Sequence, residues 1–203
     1  MKGLLYKNCK NVASVIWYYV AFAAVFFAVG CIGGNLIYLG SVGIMMCVIV
    51  PLASFACDER ENWDAFAVSS GISRRQLVMS RYLFSALPII ACALLSALTL
   101  FFAEDMAASA AQLLFFAGIW LIAVSVLLPL VHAYGAEKAR IQLTLIMVLL
   151  FVAGLTAGIF LFGEDAAFEL PAFALPSAVF AVGILFAAVS PFLSVSIMNK
   201  KDL

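Results

Sequence analysis

The chain has 203 residues, 67% hydrophobic and only 11% charged, whereas a soluble domain carries roughly 45 to 50% apolar and about 25% charged residues. That composition excludes a water-soluble globular core and describes an all-α polytopic membrane protein. Eleven basic and eleven acidic residues cancel, so overall charge points to no nucleic-acid partner. Six helices of about 20 residues each span a bilayer and leave no room for a second domain, so residues 1–203 read as a single transmembrane domain.

No charged residue occurs between Asn11 and Cys57. This run is too long for one crossing and is interrupted by GCIGGN at Gly30 to Asn35, so it predicts two helices joined by a glycine-rich hairpin, at about 12–32 and 36–57. The first run is longer than a signal-peptide core and lacks a small-residue cleavage site, and is expected to be retained. Further charge-free runs, Tyr82 to Ala103, Met106 to Ala136, Ile141 to Gly163 and Leu170 to Asn199, place crossings at about 82–103, 109–134, 141–162 and 177–198.

Lys and Arg collect in cytoplasmic segments. Here Lys2, Lys7 and Lys10 precede the first crossing, Arg60, Arg74, Arg75 and Arg81 follow the second, Lys138 and Arg140 follow the fourth, and Lys200 and Lys201 end the chain. The remaining connections hold Glu104, Asp105, Glu164, Asp165 and Glu169 and no base. Both termini are therefore expected in the cytoplasm, with cytoplasmic connections at 58–81 and 135–140.

Ionisable residues inside spans mark proton relays and ion paths, and the crossings assigned above contain none of the Asp, Glu, Lys or Arg residues. An ion-coupled transporter is thereby disfavoured. His132, near the cytoplasmic end of the fourth crossing, is either a packing residue or part of a pathway. Pro51, Pro88, Pro129 and Pro191 lie in or near spans, where each frees a backbone carbonyl and can kink its helix. The five cysteines are scattered without a C-x-x-C pair and read as apolar packing residues. The sequence offers no catalytic, cofactor-binding or metal-ligating constellation and no phosphate-binding P-loop, so any energy source must be another protein.

The connection from Cys57 to Tyr82 carries the most information. Trp63, Phe66 and Ala67 form one stripe at i, i+3, i+4, with Glu59, Arg60, Glu61, Asn62 and Asp64 on the polar face, predicting a short amphipathic helix. Ser69, Ser70 and Gly71 end it. Ser73 then starts a second helix as N-cap, with Gln76 closing a capping box and Ile72 stapled to Leu77. Arg74 and Arg75 fall in its first turn, where the helix dipole disfavours cations. Lipid phosphates or an acidic partner surface would offset that cost. Arg81 and Tyr82 are expected as an interfacial anchor pair leading into the third span. In the second connection, Glu137 and Arg140 are spaced to pair if the turn is helical, with Lys138 facing elsewhere.

The opening MKGLLYKN, the DERENW stretch from Asp58 followed after nine residues by SRRQLVMSRY, the LPLVHAYGAEKAR stretch ending at Arg140 and the short basic tail together resemble the type-2 permeases of ATP-binding-cassette (ABC) transporters. In particular they resemble the small six-span bacterial group that includes exporters of antimicrobial peptides and phenol-soluble modulins. The resemblance implies a permease without its own catalytic site, in the bacterial inner membrane, paired with an identical or related permease and served by two ABC ATPase subunits that bind ATP and Mg. It further implies that KGLLYKNCKN is a short amphipathic interface helix, and that a cytoplasmic coupling helix between spans two and three meets the ATPase. On this chain Asp58, Glu59, Trp63, Ser73, Arg74, Arg75 and Gln76 would lie in that contact, and Glu137, Lys138 and Arg140 would add a secondary one. His132 departs from the aromatic or basic residue common at its position in the family. The implied activity is ATP-driven export of a hydrophobic or amphipathic peptide, lipid or drug; a membrane scaffold or immunity protein using the same helix to bind a partner is the alternative.

Overall fold

The computed structural model describes residues 2–33, 37–102, 105–146, 148, 149 and 173–200. They are helical throughout, with short breaks and no strand among the described residues. Helix α1 runs Lys2–Gly33, α2 Ile37–Arg60, α3 Trp63–Ser69, α4 Arg74–Thr99 with a closing 3-10 turn at Leu100–Phe102, and α5 Met106–Tyr134. Helix α6 covers 136–146, and α7 runs Ala174–Lys200.

Among the described residues, four helices are long and apolar enough to cross a membrane: Tyr38–Arg60, Arg74–Thr99, Met106–Tyr134 and Ala174–Lys200. Helix α1 adds a fifth if its two parts, Lys2–Ala13 and Ile16–Ile32, bent by 74° from one another, count as one span. The expected crossing at 141–162 lies for the most part outside the described residues. Two expected boundaries move. The second crossing continues past residue 57 to Arg60, because the charge of Asp58 is neutralised inside the bundle and so does not end the helix. The helix that begins after Ser73 is not a separate cytoplasmic piece: it runs without a break into the third crossing.

Close helix approach rests on glycine, as it must where lipid removes the hydrophobic drive between helices and leaves van der Waals packing. The broadest contact is between α5 and α7. There a Cβ on Gly118 would stand 2.8 Å from Phe180 N and Val179 O, and one on Gly183 2.8 Å from Gly118 O. Across α2, Gly43 makes room for the ring of Trp120, whose indole N–H donates to Gly40 O at 3.1 Å. Trp120, Cys47, Leu127, Leu128 and Phe55 form the centre of the core. Large apolar side chains such as Trp17, Phe22, Leu185 and Phe192 point outward, the arrangement that hydrocarbon as the surrounding solvent favours.

Candidate functional site: a charged joint at the basic end of the bundle

Six chain segments meet at one end of the bundle: the start of α1, the end of α2, α3, the start of α4, the α5–α6 junction and the end of α7. Local chemistry places α3 among them. Helix α2 stops at Arg60, and Asn62 turns the chain in a left-handed conformation (φ 48°, ψ 39°). Seven residues later the helix closes with a Schellman motif, in which Ile72 N–H donates to Ala67 O at 3.0 Å and Gly71 N–H to Val68 O at 3.1 Å. Gly71 supplies the positive φ, 86°, that this cap requires. Helix α4 then starts as expected, with Ser73 Oγ accepting from Gln76 N at 3.3 Å. Ile72 and Leu77 pack in one cluster with Leu4, Ala67, Val78 and Met198.

The apolar stripe of α3 divides. Trp63 and Ala67, nearly aligned at i, i+4, turn inward, while Phe66, about 100° round from Ala67, is 59% exposed. The sequence reading put all three on one apolar stripe; a helix of seven residues packed on a narrow cluster covers only the i, i+4 line of that stripe within the chain.

Behind α3 lies a group of four charges, two of them buried and two partly exposed. Asp58 is 3% exposed and Arg81 4%. Asp58 Oδ1 pairs with Lys7 and accepts from Asn11 Nδ2 at 3.0 Å, and Asp58 Oδ2 accepts from the Arg81 guanidinium at 3.1 Å. Arg81 also grips Asp64 of α3 with both terminal nitrogens, at 2.5 and 3.3 Å. Two aromatic rings cover the cations: Lys7 Nζ lies 4.2 Å from the Trp63 ring centroid and the Arg81 guanidinium 4.9 Å from that of Phe55. The group is neutral and each charge has a partner, which is what burial of ions demands. Arg81 is thus no interfacial anchor. Its side chain turns into the bundle because Asp58 and Asp64 converge there, and the half-buried Tyr82 hydrogen-bonds to α7.

Two further predicted residues tie helix ends together. Glu59 Oε1 accepts from Ala136 N at 2.7 Å, supplying a carboxylate to the N-terminus of α6. It reaches there because Gly135 (φ 89°) has no side chain: a Cβ would come within 2.5 Å of that oxygen. Arg74 donates to Met198 O at 3.0 Å and Asn199 O at 2.9 Å, satisfying carbonyls at the C-terminus of α7. The cost of a cation in the first turn of α4 is offset at Arg74 from within the chain, where the sequence suggested lipid or a partner.

Of the seven residues expected in the main contact, Asp58, Glu59, Ser73 and Arg74 hold the joint together and Trp63 braces α3 against it. Arg75 and Gln76 are exposed. Glu137, Lys138 and Arg140 are also exposed, on α6, and Glu137 and Arg140 do not pair with each other. Sequence reading missed Asp64, Arg81 and Lys7 as a connected set.

Deeper along the helices, Ser190 Oγ donates to Ser125 O at 2.6 Å. That carbonyl is the one Pro129 leaves without its helical N–H. The Tyr82 hydroxyl lies 2.5 Å from Ser190 Oγ and 2.8 Å from Ser194 Oγ. Since the Ser190 proton is committed to the carbonyl, the chain of donation runs Ser194 to Tyr82 to Ser190 to Ser125 O. His132 is buried, its Nδ1–H donating to Leu128 O at 2.6 Å and its ring edge-on to Phe55. The described residues contain no group of three or more His, Cys, Asp or Glu able to hold a metal ion. Cys47 and Cys92 are buried free thiols, consistent with packing, whereas Cys9 is exposed.

Long apolar helices packed through glycine, with their basic residues gathered at one end, define a multi-pass membrane protein. Residues 3–199 match the ABC-2 family transporter proteins, and the chain belongs to that family. Comparison with curated proteins and with solved structures returns no match.

Proposed function

We propose that this chain is the membrane-spanning half of an ATP-driven exporter, with six spans, both termini in the cytoplasm, and the basic end of the bundle facing a separate ABC ATPase that holds ATP and Mg. The observation that carries this reading is the mounting of α3. Trp63, Asp64 and Ala67 clamp it to the bundle, while Phe66 and Ser69 on α3 and Arg75 and Gln76 in the first turn of α4 are exposed. Exposed aromatic and guanidinium side chains are the chemistry of interface anchors. Family membership supplies the kind of partner. Two such permeases, identical or related, would form the pathway in a bacterial inner membrane. An apolar cleft of about 390 Å³ between α1, α2 and α4, walled by Tyr19, Ala23, Phe27, Phe84, Pro88 and Leu95, supports a hydrophobic or amphipathic cargo.

The test is co-purification with the P-loop ATPase encoded beside the gene. Phe66→Asp combined with Arg75→Glu should reduce capture at least about tenfold while leaving the melting temperature in detergent unchanged. Arg74 is left intact, since its substitution would also loosen α7. Undiminished capture by the double variant, or no capture by the wild type, would sink the assignment.

A further inference from the structure

The joint behind α3 connects three moving parts in series. Helix α3 is short and flanked by two left-handed residues, Asn62 and Gly71, so its backbone links to α2 and α4 are turns that can flex. A push on α3 would dissipate in those turns unless a side chain carried it further. Two side chains of α3 reach these charges: the Trp63 ring covers Lys7, and Asp64 makes the ion pair, meeting both terminal nitrogens of Arg81 on α4. Arg81 in turn holds Asp58 Oδ2 on α2, and Asp58 Oδ1 holds Lys7 and Asn11.

Those last two lie one helical turn apart on the Lys2–Ala13 arm of α1, which the 74° bend sets off from the rest of that helix. The arm's inward face is Leu4, Asn8 and Val12, so Lys7 and Asn11 are its charged and polar attachments to Asp58. Buried ion pairs are stiff connectors, because a partner that lets go is left charged in a poor dielectric.

We infer that Asp64 and Arg81 are positioning residues that pass movement of α3 through Asp58 to the α1 arm and the α4 span. This rests on the reading of α3 as the ATPase docking helix and adds how docking is transmitted. Asp64 is separate from the exposed Phe66, Ser69, Arg75 and Gln76, so docking and transmission can be cut independently.

Cys9 reports on the arm. It is exposed and sits between Lys7 and Asn11 in sequence. In proteoliposomes holding the permease–ATPase complex, the rate at which a maleimide alkylates Cys9 is followed by peptide mass spectrometry, with and without MgATP and vanadate. Trapping should change the wild-type rate about fivefold or more, the size of an ordinary coupling between two sites. With Asp64→Asn, ATPase capture and the nucleotide-free rate should stay at wild-type values while the response to trapping falls below about twofold. Asp64→Glu should restore the response. Lys7→Gln, which cuts the series at its other end, should abolish it again.

The inference is overturned if Asp64→Asn keeps the full response, or loses it only in proportion to a loss of ATPase capture or thermal stability. It is equally overturned if a wild-type complex that has captured the ATPase shows no nucleotide dependence at Cys9. A wild type that captures no ATPase instead removes the docking reading, and this one with it.

Discussion

The α5–α7 crossing and the joint around Asp58 hold one bundle together by opposite means. At the crossing, Gly118 and Gly183 bring two backbones into direct contact with no charge nearby. At the joint, the ends of α1, α2 and α4 and the short α3 are tied to one another by Asp58, Asp64, Arg81 and Lys7. The difference follows from surroundings. Along the spans lipid removes the hydrophobic drive and leaves dispersion as the main force between helices, so small residues and close fit count most. At the end bordering water, charged side chains are available and become directional ties once covered by Trp63 and Phe55. One contact is a surface that tolerates no added atom, and the other is a set of discrete bonds that can be cut one at a time.

The largest effect should come from cutting the joint at its centre. Asp58→Ala leaves Lys7 without its carboxylate and Arg81 with Asp64 alone, and should cost about 3 kcal/mol, the low end of the penalty for breaking a buried pair. Unfolding in mixed detergent micelles measures it. A loss below about 1 kcal/mol, within the range of an exposed pair, would mean that water already reaches the cluster and that the joint is not a dry one. The crossing comes next. Gly118→Leu must push α7 away from α5 and should cost about 1 to 3 kcal/mol by overpacking, read by the same unfolding assay. If Gly118→Leu proved neutral, the two helices would not approach through their glycines, and the contrast between the regions would collapse.

Much of this was legible before any coordinates. Ser73 as a cap and Gly71 as a stop are hydrogen-bonding rules at fixed local offsets, and both hold. The gathering of bases into a few segments likewise survives as one charged end of the bundle, and the family likeness read from the DERENW and SRRQLVMSRY stretches agrees with the family match. What could not be read is which distant residues meet. Lys7 and Asp58 are 51 positions apart, Glu59 and Ala136 are 77 apart, and Arg74 reaches a carbonyl 124 positions away. Hydropathy reports how deep Arg81 lies along its helix but not which way it points, so an inward guanidinium passed for an interfacial one. How the apolar stripe of α3 divides was hidden for the same reason: periodicity defines a stripe, and packing decides how much of it is covered.

The smallest effect expected lies between the two regions, at the hydroxyl chain from Ser194 to Ser125 O. Pro129 has no N–H, so the Ser125 carbonyl loses its helical donor, and the Ser190 hydroxyl at 2.6 Å replaces it from α7. Ser190→Ala should therefore strand that carbonyl and also leave the Tyr82 hydroxyl with one partner fewer, costing about 1 kcal/mol, as for a typical hydrogen bond. The diagnostic comparison uses a second substitution. Pro129→Ala restores the backbone donor, so the carbonyl no longer depends on α7, and Ser190→Ala in that background should cost less than it does alone. A double-mutant cycle on unfolding free energy would then show a coupling of about 0.5 kcal/mol or more. Strict additivity would mean that the Ser190 hydroxyl is held by Tyr82 alone, and that the proline-freed carbonyl is satisfied by something other than the last helix.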